Sequence, residues 1–192
     1  MIRLEVLAIG RLERDAGGKT VNADSTCTMI RTDNGIIVVD PSTNYMRPMI
    51  KKSLVQAGVS FGDVSAVILT HTHSDHIQNL GLFLKAAIYV HEGEDISVEG
   101  AIIIKEEDFQ LVPGVRLVHT PGHTRGSMSV FVEADRRYVI AGDAIPMENN
   151  FRKMVPPAIN CDAEEALQSI KKIKRYADVI IPGHGFPFMA RM

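Results

Sequence analysis

Long apolar runs are missing from this chain. The longest, residues 64–70 and 101–104, fall far short of the roughly 20 residues that a helix needs to cross a bilayer. That excludes a transmembrane helix. Near the N-terminus Glu5 interrupts the apolar stretch, and no leader-like core or small-residue cleavage site follows it, so a secretory signal is not expected. Cysteine is scarce. Cys27 and Cys161 are the only two, far apart and outside any C-x-x-C pattern, which suits a reducing compartment better than a disulfide scaffold. A cytoplasmic location is the expectation. Charge of one sign is absent as well: 21 Lys and Arg stand against 23 Asp and Glu, for a net charge of −2. This balance excludes a basic nucleic-acid wrapper and an acidic disordered tail, and leaves nucleic acid only a local patch. No internal repeat aligns with itself, and no low-complexity tract occurs.

What is present is an ordinary globular composition, 192 residues of which 45% are hydrophobic and 23% charged. One domain over 1–192 can bury a sizeable core, whereas two would be cramped. Residues 2–9 partly alternate as a strand, and 25–32 and 36–40 flank the hairpin signal Asp33-Asn34-Gly35. Apolar residues at 46, 49, 50 and 54 predict a helix over 45–56 that Gly58 ends. A buried strand at 64–69 precedes a helix expected over 75–84, started by Ser74 or Asp75. Further strands are expected at 87–90, 101–104, 115–118, 128–132, 138–141 and 179–181. Between the last two, Asp162 with Glu165 opens a helix whose apolar face reads Ala163, Leu167, Ile170 and Ile173. Its basic end, Lys171 to Arg175, reads as a solvated face. Two sheet-rich halves, each closing with helices, predict a layered α/β sandwich.

The chemistry lies at strand ends. His71, His73, Asp75 and His76 fall within "THTHSDH", directly after the apolar strand at 64–69. In an extended segment His71 and His73 project to one side, and the turn into a helix can bring Asp75 and His76 beside them. His123 in "TPGHT", Asp143 in "AGD" and His184 in "PGHG" follow later strands, each beside a Gly or Pro. A lone histidine at a strand end is commonly a satisfied structural residue. Here five of the seven histidines occupy three such segments, and that density points to metal ligation.

With these motifs the chain resembles the metallo-β-lactamase-fold hydrolase superfamily, whose H-x-H-x-D-H, later His, later Asp and final His occur in the same order here. The resemblance implies a four-layer αββα sandwich with a two-metal site at one edge of the stacked sheets. It also implies that His71, His73 and His123 hold one ion, that Asp75, His76 and His184 hold the other, and that Asp143 bridges them. Asp40 in "VVDP" matches the family's Asp that supports the histidine loop from behind; on its own it reads equally well as a turn-initiating Asp before Pro41.

Three neutral imidazoles leave a position open for water, whose pKa a divalent ion lowers towards about 7. A second ion polarises the substrate oxygen and stabilises developing charge. Asp75 is the candidate catalytic residue, orienting the metal-bridging hydroxide and relaying its proton. No protein nucleophile is needed, so Ser127 and Cys27 are expected to be structural. Zinc is the first expectation for both ions because the set is rich in imidazole; iron and manganese are the alternatives.

For the substrate, eight residues follow His184, and the helical domain of glutathione-thioester hydrolases is not expected. The segments "STCTMIRTDNG", "IIVVDP", "HTHSDHIQNLGLF" and "ADVIIPGHGFPF" are similar to the metallo-β-lactamase-domain-containing protein 1 group. That resemblance implies phosphodiester hydrolysis of the ribonuclease type, on single-stranded RNA. The alternative is a small thioester or lactone hydrolase, similar to glyoxalase II without its helical substrate domain. A retired, metal-binding sensor is a third class, and the complete ligand set argues against it. A polyanion would have to be drawn by Arg47, Lys51, Lys52 and Arg125. Arg125 and Tyr45 are the candidate substrate contacts, with residues 147–152 at the mouth. His119 is expected to be hydrogen-bonded and His91 exposed. A C2 homodimer is a further expectation.

Overall fold

The structure, a computed structural model, describes residues 1–95 and 98–191. Strands β1 (Arg3–Ala8), β2 (Arg11–Arg14), β3 (Thr20–Asp24), β4 (Cys27–Thr32) and β5 (Gly35–Val39) open the chain. Helix α1 (Arg47–Gln56), strand β6 (Val64–Ile68), the short helix α2 (Ser74–Ile77) and strands β7 (Ala87–His91) and β8 (Ile102–Ile104) follow. A meander of β9 (Asp108–Val112), β10 (Val115–His119), β11 (Met128–Glu133) and β12 (Arg137–Gly142) comes next. Helices α3 (Glu148–Lys153) and α4 (Ala163–Tyr176) then lead to β13 (Val179–Pro182) and β14 (Phe188–Met189).

Twelve of these strands form two six-stranded mixed sheets, ordered β1-β4-β5-β6-β7-β8 and β14-β13-β12-β11-β10-β9, and β2 pairs with β3 in a separate ribbon. Because successive side chains point to opposite faces, each strand contributes to two layers at once. Ile30, Ile37, Val39 and Ile68 meet Leu117, Val130, Ile140 and Ile181 between the sheets. The alternate residues Met29, Val38 and Val67 turn outward and pack with Ile50 and Leu54 of α1. On the other side Phe131, Val139 and Ile180 pack with Ile170 and Ile173 of α4 and Phe151 of α3. The result is the expected αββα sandwich. Each fully buried aliphatic side chain contributes roughly 1.5–3 kcal/mol, so all three apolar layers are needed to offset chain entropy.

Asp162 caps α4 as its position implies, its side chain accepting the N–H groups of Glu164 and Glu165, each at 2.9 Å. The buried face is offset from the one expected, for Ala163 is exposed and Ala166, Ser169, Ile170 and Ile173 are buried. The helix expected over 75–84 stops at Ile77. Asn79 is the reason: its buried amide donates to the carbonyls of Pro41 at 3.0 Å and Thr43 at 2.5 Å, holding the loop after β5 instead of continuing the helix. The polar ribbon β2–β3, strand β9, helix α3 and the two-residue β14 carried no apolar periodicity that the sequence reading used. Among the described residues no helix is long and apolar enough to cross a membrane.

Candidate metal centre

Parallel pairing of β5 with β6 and of β12 with β13 sends these strands' C-terminal ends to one edge of the sandwich. Asp40, His71, Asp143 and His184 follow those ends, and His123 follows β10. Backbone hydrogen bonds tie the two sheets there, from Thr26 N to Gly183 O at 2.7 Å and from Met128 N to Thr70 O at 2.8 Å. Two glycines permit the close approach. A side chain at Gly183 would sit 2.0 Å from Asp143 Oδ1, and one at Gly142, with φ +50°, would sit 2.4 Å from Thr70 Oγ1.

All seven candidate ligands converge. His71, His73 and His123 form one compact group, Asp75, His76 and His184 another, and Asp143 joins His71 and His76 in a third. His123 Nε2 and His73 Nδ1 lie 2.9 Å apart. One oxygen of Asp143 is 3.2 Å from His184 Nε2 and 3.6 Å from His76 Nε2, and the other is 3.6 Å from His123 Nε2. A single carboxylate thus faces both groups. Asp75 Oδ2 lies 3.6 Å from His184 Nε2 and 3.8 Å from His76 Nε2.

The outward ring nitrogens are held from behind. His76 Nδ1 lies 2.9 Å from Asp40, His123 Nδ1 lies 2.7 Å from the Ile159 carbonyl, and His184 Nδ1 lies 2.8 Å from the Asp24 carbonyl. Each such partner accepts a hydrogen bond from Nδ1–H, which orients the ring with Nε2 facing inward. Asp40 also accepts the Thr70 N–H at 2.8 Å and the Thr70 hydroxyl at 2.7 Å, and Thr70 in turn meets His71 Nδ1 at 3.1 Å. Its backbone has φ +50°, a left-handed conformation that costs a non-glycine residue about 1–3 kcal/mol. Asp40 is buried and takes hydrogen bonds from three donors, two on Thr70 and one on His76, which is more than a turn-initiating residue needs.

Three buried atoms at the centre have no hydrogen-bond partner among the described residues: His71 Nε2, His76 Nε2 and Asp143 Oδ1. Leaving each unsatisfied costs about 1–3 kcal/mol, and one class of group, a cation, answers all three at once. Imidazole nitrogens with two carboxylates suit divalent ions. The electrostatics divide the histidines into two kinds. Burial, then the neighbouring His76, push His71 well below its ordinary pKa, and burial, then His123, lower His73. At His76 burial is outweighed by Asp40 and Asp143, which raise it well above the ordinary value; at His184 Asp143 likewise outweighs burial. Asp143 is held well below the carboxylate range, since His184 and His76 overcome its burial.

A family model of the metallo-beta-lactamase superfamily matches residues 22–97 and 91–184. The chain belongs to this superfamily. A protein of Methanocaldococcus jannaschii named "probable metallo-hydrolase" is 38% identical over 77% of this chain and 70% of its own. The metallo-beta-lactamase domain-containing protein 1 of Xenopus laevis is 36% identical over 91% of this chain and 76% of its own. Among solved structures, a mutant of the N-acyl homoserine lactonase of Bacillus thuringiensis with N-decanoyl-L-homoserine at its active site is 26% identical, with a TM-score of 0.75, over 95% of this chain and 92% of that one. Members of the metallo-beta-lactamase superfamily and these named relatives are metal-dependent hydrolases, and so is this chain; the superfamily typically binds divalent metals.

Beside the cluster lies a cleft of about 270 Å³ into which His73, Asp75, His123, Asp143 and His184 open. Its walls are Leu12 and Ala23 of the β2–β3 ribbon, Pro146, Pro157, Ala158 and Ile159, with Thr20 and Ser74 as polar members and Arg14 the cation among its lining. The sequence reading missed these residues, because the ribbon is polar and the 157–159 loop has no motif. Arg125 borders a different hollow with His119, Pro121 and Asp162. Tyr45 is 70% exposed and lies under the Arg11 guanidinium at 4.8 Å. Neither lines the cleft. Phe151, expected near the mouth, is buried in the core beneath α4, and His91, expected to be exposed, is buried in a stack with His119 at 4.1 Å. His119 is hydrogen-bonded as expected, to Glu107 and to the Arg125 carbonyl.

Proposed function

We propose that this chain is a two-metal hydrolase of small, uncharged acyl compounds, namely lactones, thioesters or esters that carry an apolar arm. The observation that carries this is the composition of the cleft, whose walls are mainly aliphatic and proline, with Arg14 as its cation. Arg47, Lys51, Lys52 and Arg125, on which attraction of RNA would depend, are not among the residues that line it. A net charge of −2 adds no long-range pull on a polyanion. The order of the two substrate classes expected from sequence is thereby reversed. Likeness to the N-acyl homoserine lactonase of Bacillus thuringiensis supports the same choice.

In this proposal His71, His73 and His123 would hold one ion and Asp75, His76 and His184 the second, with Asp143 facing both groups. Zinc suits this imidazole-rich set best. Bound there, two divalent ions would supply Lewis acidity and make hydroxide available near neutral pH. The chain's own residues do the rest. Asp75 faces the cleft, accepts the proton of the attacking water and passes it to the leaving oxygen or sulfur. Asp40, through His76 and Thr70, fixes the tautomers that aim the imidazoles inward. The ribbon and the 157–159 loop shield the acyl arm from water and hold the carbonyl against the centre. Ligands come from both sheets, so we take the sandwich as one catalytic domain.

Phosphodiester hydrolysis is the second reading, favoured by the identity to metallo-beta-lactamase domain-containing protein 1 over most of the chain. Zinc-loaded protein should be offered an N-acyl lactone, an S-acyl thioester and end-labelled single-stranded RNA, each at low and high salt. Acyl turnover that changes little with salt and is lost in Asp143→Asn is the expected outcome. RNA cleavage that falls steeply with salt, without acyl turnover, would overturn the proposal.

A further inference from the structure

One ligand is held differently from the rest. Among the described residues, the rings of His71, His76, His123 and His184 each find a partner outside the cluster, but the only hydrogen-bond partner of the His73 ring is His123, another member of the cluster. His73 is also exposed on the cleft side. Its position therefore depends on the backbone that carries it, and that backbone is clamped by a carboxylate outside the ligand motif. Glu94, 8% exposed in the loop after β7, accepts both the N–H and the hydroxyl of Thr72, each at 2.9 Å on Oε2. Thr72 stands between His71 and His73. The other oxygen of Glu94 accepts the hydroxyl of Thr124, the residue after His123.

We propose that Glu94 is a positioning residue for the three-histidine half of the metal centre, fixing the His73 loop against the His123 loop. The proposal rests on the metal-centre reading above. A carboxylate suits this place because it only accepts, and two oxygens here take three donors. Ser127 completes the arrangement from the far side, its hydroxyl 2.6 Å from Thr124 Oγ1 and 3.1 Å from the Thr124 N–H. Backbone contact makes the short reach possible. A side chain at Gly126 would fall 2.4 Å from Glu94 N, and one at Gly93 would fall 2.9 Å from Gly126 Cα, so the two loops touch where neither residue has a side chain. What Glu94 holds constant is the 2.9 Å spacing of His73 Nδ1 and His123 Nε2, the pair that must share one ion. Acting through Thr72 and Thr124, it touches no substrate.

The test compares wild type with Glu94→Ala, Glu94→Gln and Thr124→Val. Zinc affinity is measured by competition with a chromophoric chelator, and kcat and KM are measured on whichever substrate the wild type turns over. Loss of a partner behind a metal ligand typically weakens metal affinity about 10–100-fold. That loss is expected for one of the two ions in Glu94→Ala, with kcat falling more than KM rises. Glu94→Gln keeps an acceptor for Thr72 and should recover most of the affinity; Thr124→Val should fall between. If Glu94→Ala fails to fold, Thr124→Val and Glu94→Gln carry the same comparison. Wild-type zinc affinity for both ions in the folded variants would overturn the proposal, even if their melting temperature were lower. Failure of the wild type to bind zinc would instead overturn the metal-centre reading.

Discussion

Asp40 combines a strained backbone with a fully committed side chain. A buried Asp at φ +50° persists only if the structure around it gains from the position, and here the gain is the orientation of His76 and Thr70. Asp40→Asn is therefore expected to weaken zinc binding about 10–100-fold while leaving the fold intact, as read by chelator competition and circular dichroism. The clustering of the seven candidate ligands was legible in the sequence because metal chemistry accepts few residue types and because they follow strands that apolar patterning already marks. Glu94 was not. Its donors, Thr72 and Thr124, lie 22 and 30 residues away, and nothing local to "HEGED" announces a burial that only the fold creates. Arg125 drew notice for its place two residues beyond His123, yet the loop there turns its side chain to another hollow.

At the scale of elements, strong periodicity was legible and weak periodicity was not. Strands such as β6 and β11, nearly all apolar, and the capped helix α4 stood out. The ribbon β2–β3 did not, since it forms by pairing across polar sequence, and it supplies part of the cleft. Removing the cap of α4 with Asp162→Ala should cost about 1 kcal/mol, or roughly 2–4 °C in melting temperature for a chain of this size. Thermal unfolding checks this. The start of β12 is joined to the turn before β13 through Arg137 and Asp178, whose carboxylate receives the guanidinium at 2.9 Å and 3.2 Å and the Arg137 N–H at 3.1 Å. Arg137 lowers the Asp178 carboxyl from its ordinary 3.8 to about 2. A carboxyl whose folded pKa is depressed stabilises the fold above the ordinary value and loses that contribution as pH falls through the depressed one. The pair is partly exposed to solvent, which screens it, so the effect is small. In metal-free protein, the melting-temperature gap between wild type and Asp178→Asn should be constant from pH 7 to 5 and close between about pH 4 and 2. A gap that persists at pH 2 would show that the ionic contact is not its source.

For the whole molecule, the two sheets meet at an edge where buried carboxylates and unpartnered imidazoles crowd together. That edge is the least self-sufficient part of the fold. Two ions, each present at about 100 times its dissociation constant, would stabilise it by about 2.7 kcal/mol apiece, so chelation should lower the melting temperature by at least about 10 °C. Acid should release the ions as well, because the ligands must be deprotonated to bind. The layering itself was legible from alternation and the order of strands and helices, whereas the aliphatic character of the cleft appears only once β2–β3 and the 157–159 loop are folded over the site. The most direct test of the account is metal stoichiometry by elemental analysis, on wild type and Asp143→Asn refolded with zinc and freed of excess. Two ions per wild-type chain and fewer than two in Asp143→Asn are predicted. A folded wild type that retains one ion or none would contradict the two-metal centre on which the proposed hydrolysis depends.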